Sequence, residues 1–229
     1  MSGRPKLTQQ RRLQTLEAAV EVIGERGLCE TRVADIASRA NLSPALLLYY
    51  FGSKDNLLIE ALTYSEDRFY LTTFHELSEI DDARVRLVRL IDLAVPPDKS
   101  SGSVTGDWTL WVELWTRALR DEEAAVKRAA LDRRWRTTIA DIVREGQSAK
   151  VFSSASDPRE FALRLAALMD GLVIQMLLDD ADIDATKMRR LCVETAARQL
   201  EFEVPKEVAD FEPTSRRRAA PAGVGEPAR

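Results

Sequence analysis

The chain of 229 residues is poor in the side chains on which metal-dependent and nucleophilic catalysis most often rely. It contains one histidine, His75, and two cysteines, Cys29 and Cys192, which lie far apart in the sequence. A histidine-ligated catalytic zinc or a Ser-His-Asp triad is hard to build from this set, and two distant cysteines do not form a disulfide framework. We interpret both cysteines as packing residues and expect no metal, no cofactor and no catalytic residue.

Long hydrophobic runs and phosphate-binding glycine motifs are also lacking. Hydrophobic residues make up 45% of the chain, but no stretch approaches the roughly 18 uncharged apolar residues that a membrane span needs. The basic residues near the start are not followed by the apolar run of a secretory signal, so we expect a cytoplasmic protein without a membrane partner. Neither G-x-x-x-x-G-K-[ST] nor G-x-G-x-x-G occurs, which disfavours a nucleotide-dependent enzyme.

Charge is distributed unevenly along the chain. Residues 1–54 carry eight Lys and Arg against five Asp and Glu, whereas residues 55–229 carry 25 against 32. The formal charges are therefore +3 and −7, which together give the net −4 of the whole chain. A basic end joined to an acidic remainder indicates that the first part contacts nucleic acid.

Apolar residues recur at spacings of three and four along almost the whole chain, and the alternation typical of strands is scarce. This pattern predicts an all-α protein of about nine helices. We expect Thr31 and Ser43 to cap the second and third of them. The predicted helices cover residues 9–26, a short segment from Thr31 to about Asn41, and residues 44–51, 54–78, 83–95, 107–119, 122–147, 158–179 and 184–202.

Residues 31–51 have the spacing of a helix-turn-helix unit. Two short helices are joined by residues 40–43, and Ile36 and Leu47 are placed to pack between them. Such short helices expose their apolar sides unless longer helices cover them, so the first and fourth helices are needed as a base. The other side of the third helix is then free to enter a major groove.

The segments TRVADIA at 31–37 and ANLSPALLLYYFGSKDNLL at 40–58 resemble the DNA-binding domain of TetR-type transcriptional regulators. The likeness covers about residues 8–60 and includes a small-residue turn, an aromatic pair, a phenylalanine and a Lys-acid-x-Leu sequence at fixed offsets. It implies an all-helical homodimer whose third helix reads a pseudo-palindromic operator DNA. We expect a small-molecule effector to control that binding.

The resemblance also assigns the DNA contacts. The base-facing side is implied to consist of Ser43, Pro44, Ala45, Leu46 and Tyr49, and the phosphate contacts of Tyr50 and Lys54. Further phosphate contacts are expected from Arg4, Lys6, Arg11, Arg12 and Arg32, although the charges near the start of the chain fit a merely solvated face equally well. We expect the neighbouring side chains Leu47, Leu48 and Phe51 to pack in the core.

Residues 107–202 are similar to the BetI-like branch of TetR-type regulators, which includes the choline-responsive repressor of betaine synthesis. This likeness implies a repressor and leaves the operator, the regulated genes and the ligand open. It is carried by Trp111, Trp115, Arg120-Asp121, Phe152, Asp157-Pro158 and the segment ALMDGL at 167–172.

Three tryptophans at spacings of three and four share one face of the predicted sixth helix. Such a stripe packs in a core more often than it binds a ligand, but indole faces also attract ammonium groups, and nearby acids such as Glu113 could neutralise one. We therefore predict a cavity for a cationic or apolar effector. Its candidate residues are Tyr64, Phe74, Asp107, Trp108, Trp111, Trp115, Met169, Asp170 and Gln175.

The predicted eighth helix is apolar on nearly every side and so needs two partners. Phe161, Leu165 and Leu172 lie on one side, and Leu163, Ala167, Ile174 and Leu178 on others. The resemblance implies that the second partner is the same helix of another copy, in a homodimer through helices 8 and 9. The alternative is complete burial within one monomer. The ninth helix is expected to contribute Leu191, Val193, Thr195 and Leu200.

The resulting domain organisation has three parts. A helix-turn-helix DNA-binding domain covers residues 1–54, and a ligand-binding and dimerisation domain covers residues 55–204. Residues 205–229, rich in Pro, Ala, Gly and charge and containing Arg216–Arg218, are predicted to be a disordered tail.

Two other functions fit the residues less well. One is a helical small-molecule-binding protein without a transcriptional role. The other is an all-α enzyme that uses the acids Asp170, Asp179, Asp180 and Asp182, of which the last three are more simply read as solvated loop residues.

Overall fold

The computed structural model describes residues 9–27, 30–96 and 106–210. Within these ranges the chain forms nine α-helices and one short 3₁₀ helix, with no β-strand, so the prediction of an all-α protein is confirmed. Except in the second helix, every helix end lies within two residues of its predicted position. The α-helices are α1 (Gln9–Arg26), α2 (Val33–Arg39), α3 (Pro44–Phe51), α4 (Lys54–Ser78), α5 (Ala83–Ala94), α6 (Gly106–Ala118), α7 (Glu122–Ser148), α8 (Pro158–Leu177) and α9 (Ala185–Leu200).

Side-chain caps account for most of these helix starts. Ser43 Oγ accepts a hydrogen bond from the Leu46 N–H at 3.2 Å, and Ser53 Oγ accepts one from the Asn56 N–H at 3.0 Å. At α2 the predicted cap is wrong. Thr31 is buried and its hydroxyl donates to the Gly27 carbonyl at 2.7 Å, so Arg32 takes the cap position instead.

Two hydrophobic cores hold the helices together. The first lies among α1, α2, α3 and the start of α4, and it also buries Leu114 of α6 and Leu131 of α7. The second is formed by α5, α7, α8 and α9 together with Leu77 near the end of α4. Because α4, α6 and α7 contribute to both cores, the space between the cores is bounded by these helices.

Cys192 belongs to the second core and is fully buried. Burial raises the pKa of its thiol to about 12, so it stays protonated and acts as a small apolar side chain, as predicted. Cys29 lies outside the described residues.

The segment after α9 differs from its prediction. Residues 205–210 do not begin a disordered tail, because a 3₁₀ helix at Lys206–Val208 buries Val208 to 1% exposure. The buried Arg189 pairs with Asp92 at 2.8 Å and donates to the carbonyls of Val208 and Ala209. The packed chain thus extends to Ala209, because a buried guanidinium needs these backbone acceptors. Arg216–Arg218 lie outside the described residues.

Truncation after Val204 should lower the free energy of unfolding by about 2–4 kcal/mol, since Arg189 loses two acceptors and Val208 no longer packs against α5. Truncation after Asp210 keeps all three contacts and should change it by less than about 0.5 kcal/mol. Urea denaturation of both truncated chains beside the full chain measures the difference. Equal stability of the two truncated chains would contradict this role of residues 205–210.

Candidate DNA-binding surface and effector cavity

The turn between α2 and α3 fixes the direction of α3. The Ala40 N–H donates to the Ile36 carbonyl and the Leu42 N–H donates to the Ala37 carbonyl, both at 2.8 Å. Asn41 between them has a φ of 54°, a left-handed conformation that asparagine adopts more readily than most residues. This closure turns α3 so that Leu47 and Phe51 are buried in the first core.

The predicted base-facing residues share the opposite side of α3. Ser43, Pro44, Ala45 and Tyr49 are exposed, and Leu46 is half-buried. Leu48, which we expected in the core, is 38% exposed. It lies four residues after Pro44 and therefore on the same helical face as the predicted contacts. This spacing was visible in the sequence.

The predicted phosphate-binding residues are placed less uniformly. Tyr50 is half-buried against the first core, with its ring edge-to-face with Tyr49 at a centroid distance of 5.4 Å. Lys54 is half-buried at the first position of α4, while Arg11 and Arg32 are exposed. Arg4 and Lys6 lie outside the described residues.

Arg12 is engaged inside the molecule. It forms an ion pair with Glu60 of α4, and its guanidinium lies 4.7 Å from the centroid of the Phe51 ring. Arg12 therefore joins α1 to α3 and α4, and a phosphate would have to compete with Glu60 for it. The sequence could not show this, because the two partners are 48 residues apart.

A cavity of about 240 Å³ lies between the two cores. All four tryptophans of the chain line it. The indole N–H groups of Trp108 and Trp115 are buried there and have no hydrogen-bond partner within the described part of the chain. The full lining is Tyr70, Ala94, Trp108, Trp111, Trp115, Arg128, Asp132, Trp135, Arg136, Leu163, Ala166, Ala167 and Asp170.

Two acids and two arginines give the cavity its charge. Arg128 Nη2 lies 2.7 Å from Asp132 Oδ2, and Arg136 Nε donates to the Asp132 backbone carbonyl at 3.2 Å. Burial raises the pKa of Asp170 to about 6, assisted by the charge of Asp132 and opposed by the two arginines. Asp170 is therefore ionised at neutral pH and becomes protonated as the pH falls through about 6.

Four residues predicted for the cavity lie elsewhere. The Tyr64 hydroxyl donates to Glu17 at 2.7 Å beside the first core, and Met169 is buried in the second core. Phe74 is 64% exposed in an outer groove between α4 and α7, and Gln175 is exposed. We assigned each of them to the cavity from the helix that carries it. The direction of the side chain, however, decides which space the residue enters. The side chains of Asp107 and Glu113 lie outside what the structure describes.

Sequence reasoning missed the cavity wall supplied by α4 and α7. The Tyr70 and Trp135 rings meet edge-to-face at 6.1 Å between centroids. On α7, residues 128, 132, 135 and 136 recur at spacings of three and four, so this charged and aromatic stripe was visible as one helical face.

The outer side of α8 is apolar and exposed. Leu163, Ala167, Ile174 and Leu178 are exposed and follow one another at spacings of four, seven and four along this side, and Leu178 reaches 76% exposure. Leu163 and Ala167 also line the cavity. On α9, Leu191 is half-buried and Thr195 is exposed. The other two predicted contributions of α9 were wrong, because Val193 and Leu200 are buried in the second core.

Comparison with known proteins matches both parts of the chain. The family described as bacterial regulatory proteins, tetR family, matches residues 16–61, and the family described as BetI-type transcriptional repressor, C-terminal, matches residues 83–201. The chain belongs to the TetR family. Because the second match covers more than half of its length, its C-terminal part is BetI-type. This TetR-family protein is a ligand-responsive, DNA-binding transcriptional regulator, as the sequence predicted.

Individual relatives agree with this assignment. The regulator BetI of Burkholderia lata is 29% identical over 182 residues, which cover 79% of this chain and 89% of that protein. A transcriptional regulator from Saccharomonospora viridis, solved in complex with choline, is 34% identical with a TM-score of 0.73, over 83% of this chain and 97% of the other. A TetR-family regulator from Rhodococcus sp. is 28% identical with a TM-score of 0.69, over 84% and 100%.

The described part of this TetR-family chain shows neither a membrane helix nor a metal cluster. No helix there is long and apolar enough to cross a bilayer, and no three His, Cys, Asp or Glu side chains there are grouped to hold a metal ion. The acids Asp179, Asp180 and Asp182 lie in the exposed turn after α8. The members of the family that the comparisons found are transcriptional regulators.

Proposed function

We propose that the protein is a cytoplasmic repressor that binds a pseudo-palindromic operator as a homodimer and is released when an effector fills the cavity. The observation that carries this proposal is the position of α6 between the two parts. Trp111 lines the cavity and packs against the first core, and Leu114, on the next turn, is buried in that core. One helix thus contacts both the effector and the DNA-binding domain.

A second contact extends this connection to the DNA surface. Arg117 Nη2 of α6 lies 2.5 Å from Asp55 Oδ1, in the first turn of α4 and next to Lys54. An effector that shifts α6 therefore moves the start of α4 and, with it, the end of α3. It changes operator affinity only if it binds one arrangement of the two DNA-binding domains better than the other. The tight-binding arrangement places the two α3 helices about 34–36 Å apart, one turn of DNA.

The DNA-binding proposal predicts different effects at two positions. Tyr49→Ala should weaken operator binding by about 1–3 kcal/mol and leave non-specific DNA binding unchanged, since Tyr49 faces the bases. Lys54→Ala should weaken both to a similar extent and reduce the salt dependence, because it contacts phosphate. Mobility shifts with the intergenic DNA beside the gene, with and without competitor, measure both. Leu71→Ala, an exposed change remote from α3, is the control; the reverse pattern would refute the assigned roles.

We propose further that the effector carries an ammonium group held by the tryptophans and Asp170. Indole faces attract cations, and the half-buried carboxylate of Asp170 supplies the opposite charge. The related Saccharomonospora viridis regulator was solved with choline, which has such a group. At about 30 Å³ per water molecule, a cavity of about 240 Å³ has room for a small ligand.

Tryptophan fluorescence reports on this cavity because all four tryptophans line it. Choline should give a saturable change at pH 7.5, and its neutral isostere 3,3-dimethylbutan-1-ol should bind at least about tenfold more weakly. Choline affinity should fall as the pH drops through about 6, where Asp170 loses its charge. Asp170→Asn should weaken binding and remove this pH dependence, and Asp182→Asn should change neither. Equal binding of choline and its isostere would exclude an ammonium site.

We propose that the exposed apolar side of α8, with Leu191 and Thr195 of α9, is the dimer interface. An exposed apolar stripe of this length is typical of a surface that another protein covers. A two-fold contact between identical stripes would bury both at once.

Ile174→Glu and Leu178→Glu should convert the dimer to a monomer, because each places an unpaired charge in the centre of the contact. Neither residue lines the cavity. Leu119→Glu, at an 84% exposed position in the turn between α6 and α7, is the matched control and should remain dimeric. Sedimentation velocity measures the assembly, and circular dichroism checks that each variant is folded. A dimer that survives both α8 substitutions would place the interface elsewhere.

A further inference from the structure

The charged side chains of the cavity already balance one another. Asp132 and Asp170 supply two negative charges at neutral pH, and Arg128 and Arg136 supply two positive charges. Arg128 is paired with Asp132. Within the described part of the chain, neither Asp170 nor Arg136 forms an ion pair within 4 Å. An acid and a guanidinium are therefore both available to a ligand.

We propose that the effector is a small zwitterion, whose ammonium group lies against Asp170 and the tryptophans and whose anionic oxygens bind the guanidinium of Arg136. This inference rests on the proposed function, because it takes the cavity as the effector site. It adds a second recognition group to that site and changes the net charge expected of the ligand from positive to zero.

Charge balance favours a neutral ligand. A bare cation would leave the cavity with an excess charge of one, removed from water and without a partner, which is unfavourable in a partly buried site. A zwitterion leaves the total at zero and gives each of the two available groups an opposite charge. A guanidinium is also well suited to carboxylate and phosphate oxygens, because its N–H groups form a planar fork.

The buried indole N–H groups support the same conclusion independently. Those of Trp108 and Trp115 have no partner within the described part of the chain, and an indole N–H can only donate. A quaternary ammonium group accepts no hydrogen bond, and choline adds only one hydroxyl oxygen. A carboxylate or phosphate has several lone pairs and can accept from an indole and from Arg136 together. A ligand that satisfies both indoles therefore needs more than one oxygen acceptor, and an anionic group supplies them.

The test compares full-length wild-type protein with two arginine variants by tryptophan fluorescence, checked by calorimetry. The ligands are choline, glycine betaine and choline O-sulfate at pH 7.5, so that the same trimethylammonium group is presented alone, with a carboxylate and with a sulfate ester, and the last two ligands carry no net charge. Arg136→Gln removes the proposed anion contact. Arg133→Gln is the matched control, because Arg133 is exposed on the same helix and lines the outer groove.

At least one zwitterion should bind about tenfold or more tightly than choline to the wild-type protein. Arg136→Gln should remove that preference while leaving choline affinity unchanged or higher, since a nearby positive charge is lost; Arg133→Gln should preserve it. Tighter binding of choline than of both zwitterions, or an equal loss for all three ligands in Arg136→Gln, would overturn the inference and leave the ammonium site intact. If none of the three ligands binds, the proposed ammonium site in the cavity is refuted, and this inference is refuted with it.

Discussion

The two shortest helices, α2 and α3, hold their positions only because larger helices cover their apolar sides. Ile36 and Leu47 are completely buried, yet a helix of seven or eight residues is not stable by itself. The cover comes from α1 and from the first turns of α4, and also from Leu114 of α6 and Leu131 of α7. The DNA-binding part is therefore completed by side chains from the part that contains the cavity, and the two cannot move independently.

Ion pairs reinforce the same arrangement at its edges. Arg12 connects α1 to Glu60, Arg39 of α2 pairs with Glu21 and Glu25 of α1, and Arg117 connects α6 to Asp55. Each of these pairs is at least partly exposed to solvent, so each adds little to stability by itself. Their value is geometric, because they select one relative position of helices that apolar packing alone would allow to slide.

The features that could be predicted from the sequence depend on local chemistry. Ser43 and Asp157 cap helices through bonds that span three residues, so the helix ends were visible in the residue order. The tryptophan stripe and Asp170 were placed correctly because helical spacing determines which residues share a face. The assignments failed where contacts between distant segments decide. Arg189 recruits backbone carbonyls beyond α9, and Tyr70 meets Trp135 from a helix 65 positions away.

Two neighbouring positions on one helix also show what the sequence alone could not predict. Met169 and Asp170 are adjacent in α8, yet one fills the second core and the other lines the cavity. A rotation of about 100° per residue separates them, and only the packing of α8 against α7 fixes which of them faces inward. From the sequence alone, both residues fitted the predicted cavity equally well.

The placement of α6 also constrains how this lineage can diversify. A substitution among its tryptophans alters the shape of the cavity. Through Leu114 and Arg117 it also alters the position of the DNA-binding helices. Arg136 of α7 and Asp170 of α8 also line the cavity, but within the described part of the chain neither belongs to the first core. Descendants that acquire a new inducer while keeping their regulated genes should therefore accumulate substitutions first on α7 and α8. Of the three helices, α6 should change most slowly.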